Sequence, residues 1–204
     1  MTERPQAMLN HVALVFGPGE REVARALFET VGFTVLDHDR WLIVHVDRET
    51  GDGVDNVLFA SEPVPAQRKF EEALNSAIDG DPILTGALEH YREWKEAHPQ
   101  VNFHFGASIK TYDDWQGRLE RLRQAKVNHP LLAGRFKLKV LEKGDPDSLD
   151  IRSQLFIFTD ILAVGPFALG LVMELQWTPD SPAGKMSHAE LVAGVKIPDF
   201  DAME

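Results

Sequence analysis

The sequence predicts an α+β fold built from two copies of one strand-helix-strand-strand-strand unit, and three observations predict it. Two apolar, strand-like runs, 9–15 and 101–107, each carry a histidine near their start, His11 and His104, and each leads into an amphipathic helical stretch. Three further strand-like runs follow each helix. A late run, 169–175, holds a single carboxylate, Glu174, in otherwise oily surroundings. A repeated supersecondary unit constrains a fold more than any isolated motif.

In the first unit, Gly17-Pro18-Gly19 separates the opening strand from a helix over 20–31. Val23, Ala24, Leu27, Phe28 and Val31 recur there at helical spacing, and Gly32 is the expected stop. Strands are expected at 33–36, 41–46 and 57–60, with the turn-rich segment 48–53 before the last. In the second unit a helix is expected over about 113–125, where Trp115, Leu119 and Leu122 share a face. Strands should follow at 136–141, 155–162 and 167–177, with Gly165-Pro166 turning between the last two. Between the units, 63–99 reads as helix around 67–78 and 84–97, from Phe70, Leu74 and Ile78, then Leu84, Leu88, Tyr91 and Trp94. The predicted organisation is a first module over 1–62, a helical connector over 63–100, a second module over 101–177 and an irregular C-terminal arm over 178–204, all in one compact domain. The arm holds Pro179, Pro182, Gly184 and Pro198, with a short helix expected at 188–193.

Composition narrows the function. The chain has 204 residues, 44% hydrophobic and 26% charged, which suits a globular protein with a sizeable core. Its 21 basic residues against 32 acidic ones give a formal charge of −11, and no basic stripe offers a nucleic-acid surface. Without cysteine, any metal must be held by nitrogen and oxygen. No apolar run approaches a membrane span and the N-terminus lacks a signal-peptide core, so a cytoplasmic, non-membrane protein is expected.

Paired modules with a histidine on the first strand of each and a glutamate on the last strand of the second resemble the vicinal oxygen chelate superfamily, which includes glyoxalases, bleomycin-resistance proteins and extradiol dioxygenases. The opening Leu9-Asn10-His11-Val12-Ala13-Leu14 and the later Leu27-Phe28-Glu29-Thr30-Val31-Gly32-Phe33 carry the resemblance most closely. It covers about 8–62 and 101–177. It implies modules that curl together into a partly open, barrel-like cup holding metal and substrate. It also implies metal ligation by His11, His104 and Glu174. A fourth ligand, a glutamate in glyoxalase-type members, would fall near Phe59, and Glu62 lies out of phase with that position. The resemblance to ring-cleaving members lacks one feature, a tyrosine shortly before the glutamate, because 163–167 reads Ala-Val-Gly-Pro-Phe.

Two imidazoles and one carboxylate leave positions open on a divalent ion for a substrate with adjacent oxygens and, with iron, for dioxygen. One isolated histidine at a strand edge is usually structural; matched placement in two repeats argues for ligands instead. Glu174 between Met173 and Leu175 is costly to bury without a partner. His45 is the candidate acid or base, since imidazole suits proton transfer near neutrality. Gln154 and Asp160 are candidates to face the cup, Phe156 and Phe158 to wall it, and His129 and His188 lie in loops that could cover it. The expectation is a metal-dependent enzyme acting on a small, oxygen-rich, possibly aromatic substrate, with Fe(II) and ring cleavage slightly favoured. Lyase or isomerase chemistry on Zn, Ni or Mn is the alternative, and a metal-free small-molecule binding protein the other. The 37 residues of 63–99 permit both modules to pair within one chain, so monomer and homodimer are both open.

Overall fold

The computed structural model describes residues 11–47, 56–101, 103–145 and 152–177. The expected turn at 48–53 and the arm at 178–204, with His188, lie outside the described residues. The first module runs β1 (His11–Phe16), α1 (Arg21–Val31), β2 (Thr34–His38), β3 (Trp41–His45) and β4 (Val57–Ser61). The connector forms α2 (Pro65–Gly80) and α3 (Pro82–Ala97). The second module runs β5 (His104–Ser108), α4 (Tyr112–Asn128), β6 (Phe136–Leu141), β7 (Ser153–Thr159), β8 (Leu162–Ala163) and β9 (Leu171–Trp177). One sheet has the order β2-β3-β4-β1-β8 and the other β5-β9-β7-β6. In each, the module's first strand lies parallel against its last, β1 on β4 and β5 on β9, while the remaining pairs within each module are antiparallel. The repeat read from the sequence is therefore a repeat of topology.

The helices start and stop where local chemistry directs. Gly32 takes the left-handed conformation at φ 94°, its N–H bonding Glu29 O while Phe33 N–H bonds Phe28 O, so the last carbonyls of α1 are satisfied. Thr111 caps α4 by accepting from Asp114 N–H at 3.2 Å. Asp81 separates two helices that each begin with proline and caps α3 through Ile83 N–H at 2.8 Å.

Both modules share one core. Leu14, Phe28, Leu42 and Leu58 of the first belong to the same apolar cluster as Trp115, Leu122, Leu155 and Met173 of the second. The two module helices lie together, with Arg118 donating to Val31 O at 2.9 Å and Arg121 to Thr30 O at 3.4 Å. These cations sit at the C-terminal end of α1, where the helix carbonyls carry partial negative charge. The connector is helical as expected, but α3 buries no residue and Phe70, Leu84 and Tyr91 remain substantially exposed, so its apolar stripes lie outside the core.

The second module departs from expectation after Thr159. The strand read over 155–162 ends there because Thr159 Oγ1 accepts from Ile161 N–H at 3.0 Å and turns the chain. Asp160 swings to the surface and meets Arg135 at 3.3 Å rather than facing a cup. Leu162 and Ala163 then cross to the other sheet and pair antiparallel with Phe16 and Val15. The expected strand start at 167 is a 3₁₀ turn over Phe167–Leu169, and Gly170 leads from it into β9.

Gly170 has φ 58° and ψ −169°, and a Cβ there would stand 2.6 Å from Thr159 O. Gly170→Ala is expected to destabilise the fold by about 1–3 kcal/mol, because the backbone conformation is essentially reserved for glycine. Thermal unfolding measures this, and an unchanged midpoint would mean that the turn relaxes freely.

Candidate functional site

Strand alternation fixes which side chains share a face. Leu14 and Phe16 of β1 pack on the core, which leaves His11, Ala13 and Val15 on the face away from the helices. On β5, Phe105 and Ala107 join the core, so His104, Gly106 and Ser108 take the opposite side. Leu42 and Val44 do the same for β3, placing His45 with Trp41 and Ile43. His11, His45 and His104 therefore all lie on sheet faces turned away from the shared core.

Register arranges them in rows. His45 is opposite Val57, and Val57 is opposite His11, so the two imidazoles flank one residue across three strands. Two strand spacings separate them, about 10 Å between backbones. In the second sheet one row reads Lys137, Phe158, Val172, His104, and the next reads Lys139, Phe156, Glu174, Gly106. The residue two beyond His104 faces Glu174; the residue two beyond His11, Ala13, faces Phe59. Phe59 is thus the first module's equivalent of Glu174 by register. Its ring lies edge-on to His11 with centroids 5.5 Å apart. Glu62 is occupied elsewhere, accepting from Gly19 N–H at 2.9 Å and lying 3.6 Å from Arg68.

His104 and Glu174 meet. Nε2 of His104 stands 3.1 Å from Oε2 of Glu174, and the glutamate is only 6% exposed. Its other oxygen, Oε1, accepts from Gln154 Nε2 at 2.7 Å, and Gln100 Nε2 in turn donates to Gln154 Oε1 at 3.0 Å. A buried carboxylate is tolerable only with such partners. Gly106 makes room for it, since a Cβ there would come within 3.3 Å of Oε2. Phe156 presents its ring edge-on to His104 at 6.0 Å and, with Phe158 and Val172, forms an apolar patch on the same face.

The separation within this pair suits a metal as well as a hydrogen bond. Ligand atoms in neighbouring positions at right angles on an ion, each about 2.1 Å from it, stand about 3 Å apart. Gln154 leaves Oε2 as the available oxygen, the arrangement by which outer residues orient a ligating carboxylate. Among the described residues no group of three His, Asp or Glu side chains converges to complete a site. His11 instead lines a cavity of about 590 Å³ between the modules, whose wall also includes Val57, Gly106, Ser108 and Arg118. Gly106 links the two features, lining that cavity while lying under Glu174.

His45 is half-buried and its Nδ1 has no hydrogen-bond partner. His129 closes α4, its Nδ1 accepting from Leu131 N–H at 3.2 Å. Tyr112 is turned to the helix side, stacked on Trp115. Gln100 is the functional residue that sequence reasoning missed; the connector reads as helix, and nothing in that pattern marks its last turn as reaching the sheet.

No family model matches the chain, and no curated protein matches it. Solved structures similar to it include the following two. One is titled "Crystal structure of glyoxalase/bleomycin resistance protein/dioxygenase from Alicyclobacillus acidocaldarius", at 10% identity and a TM-score of 0.41, with 87% of this chain and 96% of that one covered. The other is titled "Oxidase ChaP-H2", at 11% identity and a TM-score of 0.39, with 86% and 96% covered. The architecture here is two sheets of matching strand order with α1 and α4 in one core, the paired-module α+β fold that the sequence predicts. Among the described residues no helix is long and apolar enough to cross a membrane.

Proposed function

We propose that this chain is a divalent-metal-dependent enzyme acting on a small oxygen-rich molecule bound between its two modules. One observation carries the reading: His104 Nε2 and Glu174 Oε2 lie 3.1 Å apart, with Glu174 Oε1 already taken by Gln154. His104 and Glu174 would hold the ion, and His11, on the wall of the inter-module cavity, is the third ligand in this reading. When bound, such an ion supplies Lewis acidity to a substrate with adjacent oxygens. The chain's own residues do the rest. Gln154 holds the carboxylate in place, Phe156 restricts the imidazole ring, and Gly106 leaves the space over which Glu174 extends. His45 is the proposed proton carrier, because its Nδ1 is buried and uncommitted on the row that also holds His11.

Within this reading Fe(II) and oxygenation are favoured, since Phe59 stands where a fourth, carboxylate ligand would stand, and two histidines with one carboxylate suit non-haem iron. Zn, Ni or Mn with lyase or isomerase chemistry is the alternative within the same site. A metal-free binding protein is a separate reading, favoured by the fact that Gln154 and His104 already satisfy Glu174. Anaerobic titration with Fe(II), Mn(II) and Zn(II) separates them. One ion per chain with a raised unfolding temperature is expected, and His104→Ala should abolish both. No stoichiometric ion and no thermal shift would leave the binding-protein reading. Oxygen uptake by the iron-loaded protein with catechols then divides oxygenase from lyase or isomerase.

A further inference from the structure

The connector reaches Glu174 through a chain of side chains that runs in one direction only. Gln100 Nε2 donates to Gln154 Oε1 at 3.0 Å, Gln154 Nε2 donates to Glu174 Oε1 at 2.7 Å, and Glu174 Oε2 lies 3.1 Å from His104 Nε2. An ionised carboxylate accepts hydrogen bonds and donates none, so Glu174 requires the NH₂ end of the Gln154 amide. Gln154 must then turn its carbonyl oxygen the other way, and that oxygen needs a donor. The NH₂ of Gln100 is that donor. Gln154 is 2% exposed and Glu174 6%, so water is a poor substitute for a bond lost here.

The fold brings these groups together from distant segments. Glu174 is opposite Phe156 on β7, and Gln154, two residues earlier on the same face, is its diagonal neighbour. Gln100 arrives from the 3₁₀ turn Pro99–Val101, which ends the connector. That end is fastened to the same sheet. Lys137 Nζ donates to Glu96 Oε1 and Lys139 Nζ to Ala97 O, both at 2.6 Å, from β6 positions opposite Phe158 and Phe156. The last turn of α3 is therefore clamped over the face that carries Glu174, a few residues before Gln100.

We propose that Gln100 is a positioning residue for Glu174: as the donor that heads the relay, it fixes which way the Gln154 amide faces and, through it, the carboxylate. The end of the connector is then a working part of the site and not only a spacer between modules. Hydrogen-bond polarity is the whole of the device. With a donor at position 100 every member of the chain is satisfied; with an acceptor there, two acceptors flank one amide, and whichever takes its NH₂ leaves the other against a carbonyl oxygen. The relay involves no ion, so it stands or falls independently of metal binding.

Reversing the polarity at position 100 tests it. Gln100→Glu keeps the side-chain length and removes the donor, and denaturant unfolding of the full chain without added metal should show a folding equilibrium constant lower by about tenfold or more. In a Glu174→Gln background the same change should cost about threefold or less, because there the chain can run backwards. The new amide at 174 donates to Gln154 Oε1, the Gln154 NH₂ turns to the new carboxylate at 100, and the carbonyl oxygen at 174 accepts from His104 Nε2. Glu174→Gln would also relieve any repulsion between carboxylates at 100 and 174, so Gln154→Met is the control. It removes the relay and keeps both charges, and Gln100→Glu should again cost about threefold or less. Gln100→Met should cost the same in the parent and in Glu174→Gln, since one Gln154 group is stranded whichever way the amide faces. Divalent-metal affinity, measured separately, should fall by about tenfold in Gln100→Glu. A parent chain that binds no metal would remove the metal reading and leave the relay standing. A Gln100→Glu variant as stable as the parent, a loss equal in the parent and Glu174→Gln backgrounds, or a loss that persists in Gln154→Met would each overturn the proposal.

Discussion

Glu174→Gln is expected to fold with nearly the parent stability and to bind divalent metal about 100-fold or more weakly, exceeding the loss usual for an outer partner. The amide has the shape of the carboxylate. Its carbonyl oxygen can still accept from Gln154 Nε2, now 2.7 Å from Oε1, and its NH₂ can face His104 Nε2, now 3.1 Å from Oε2. The hydrogen bonds survive while the anionic ligand oxygen is lost. This variant therefore separates a ligating carboxylate from a structural one, which Glu174→Ala would not, because truncation strands the buried Gln154 and His104 groups as well. Metal titration and thermal unfolding on the same variant read the two effects. Full metal occupancy in Glu174→Gln would remove Glu174 from the proposed site; a large fall in unfolding temperature without metal would assign it a structural role.

The sequence carries the repeat because its determinants are local: period-2 strands, a 3.6-period helix and Gly32 as its stop are set within a few residues of one another. The equivalence of Phe59 and Glu174 came from the family resemblance, and the register agrees with it, Ala13 facing Phe59 as Gly106 faces Glu174. What was not legible depends on contacts distant in sequence. The Thr159 turn exists because a hydroxyl competes for the Ile161 N–H, and its consequence, the crossing of Leu162 and Ala163 to β1, is a pairing across some 147 positions. Periodicity continues through that point and reads as one strand. Gln154 could be given a strand but not a side, because alternation alone does not say which face meets the helices; its place beside Glu174 needed the pairing of β7 with β9. Gln100 needed more still, the arrival of the connector's end over the sheet.

The residue that positions Glu174 from behind is Trp115, and its truncation is the largest stability loss expected in this chain. Trp115 is fully buried on α4, its indole N–H donates to Leu175 O at 3.0 Å, and its ring stacks on Tyr112 with centroids 5.6 Å apart. Leu175 is the neighbour of Glu174 on β9, pointing to the opposite face, so the indole braces the strand from the core side while Gln154 holds the carboxylate on the other. Trp115→Ala is expected to cost about 3–5 kcal/mol, from lost burial, the cavity left behind and an unpaired carbonyl. Against a total stability of about 5–15 kcal/mol that is a large fraction, and denaturant unfolding should show it as a lower midpoint. Trp115→Phe keeps most of the ring volume and removes the N–H donor, so it should cost about 1–3 kcal/mol. If the two variants lose equally, the hydrogen bond rather than packing anchors β9; a loss under about 1 kcal/mol in Trp115→Ala would mean that α4 does not brace the strand at all. The intermediate result, a large loss for alanine and a small one for phenylalanine with weakened metal binding only in the former, is the one the geometry requires. A ligand on β9 can be held no more firmly than the strand that carries it.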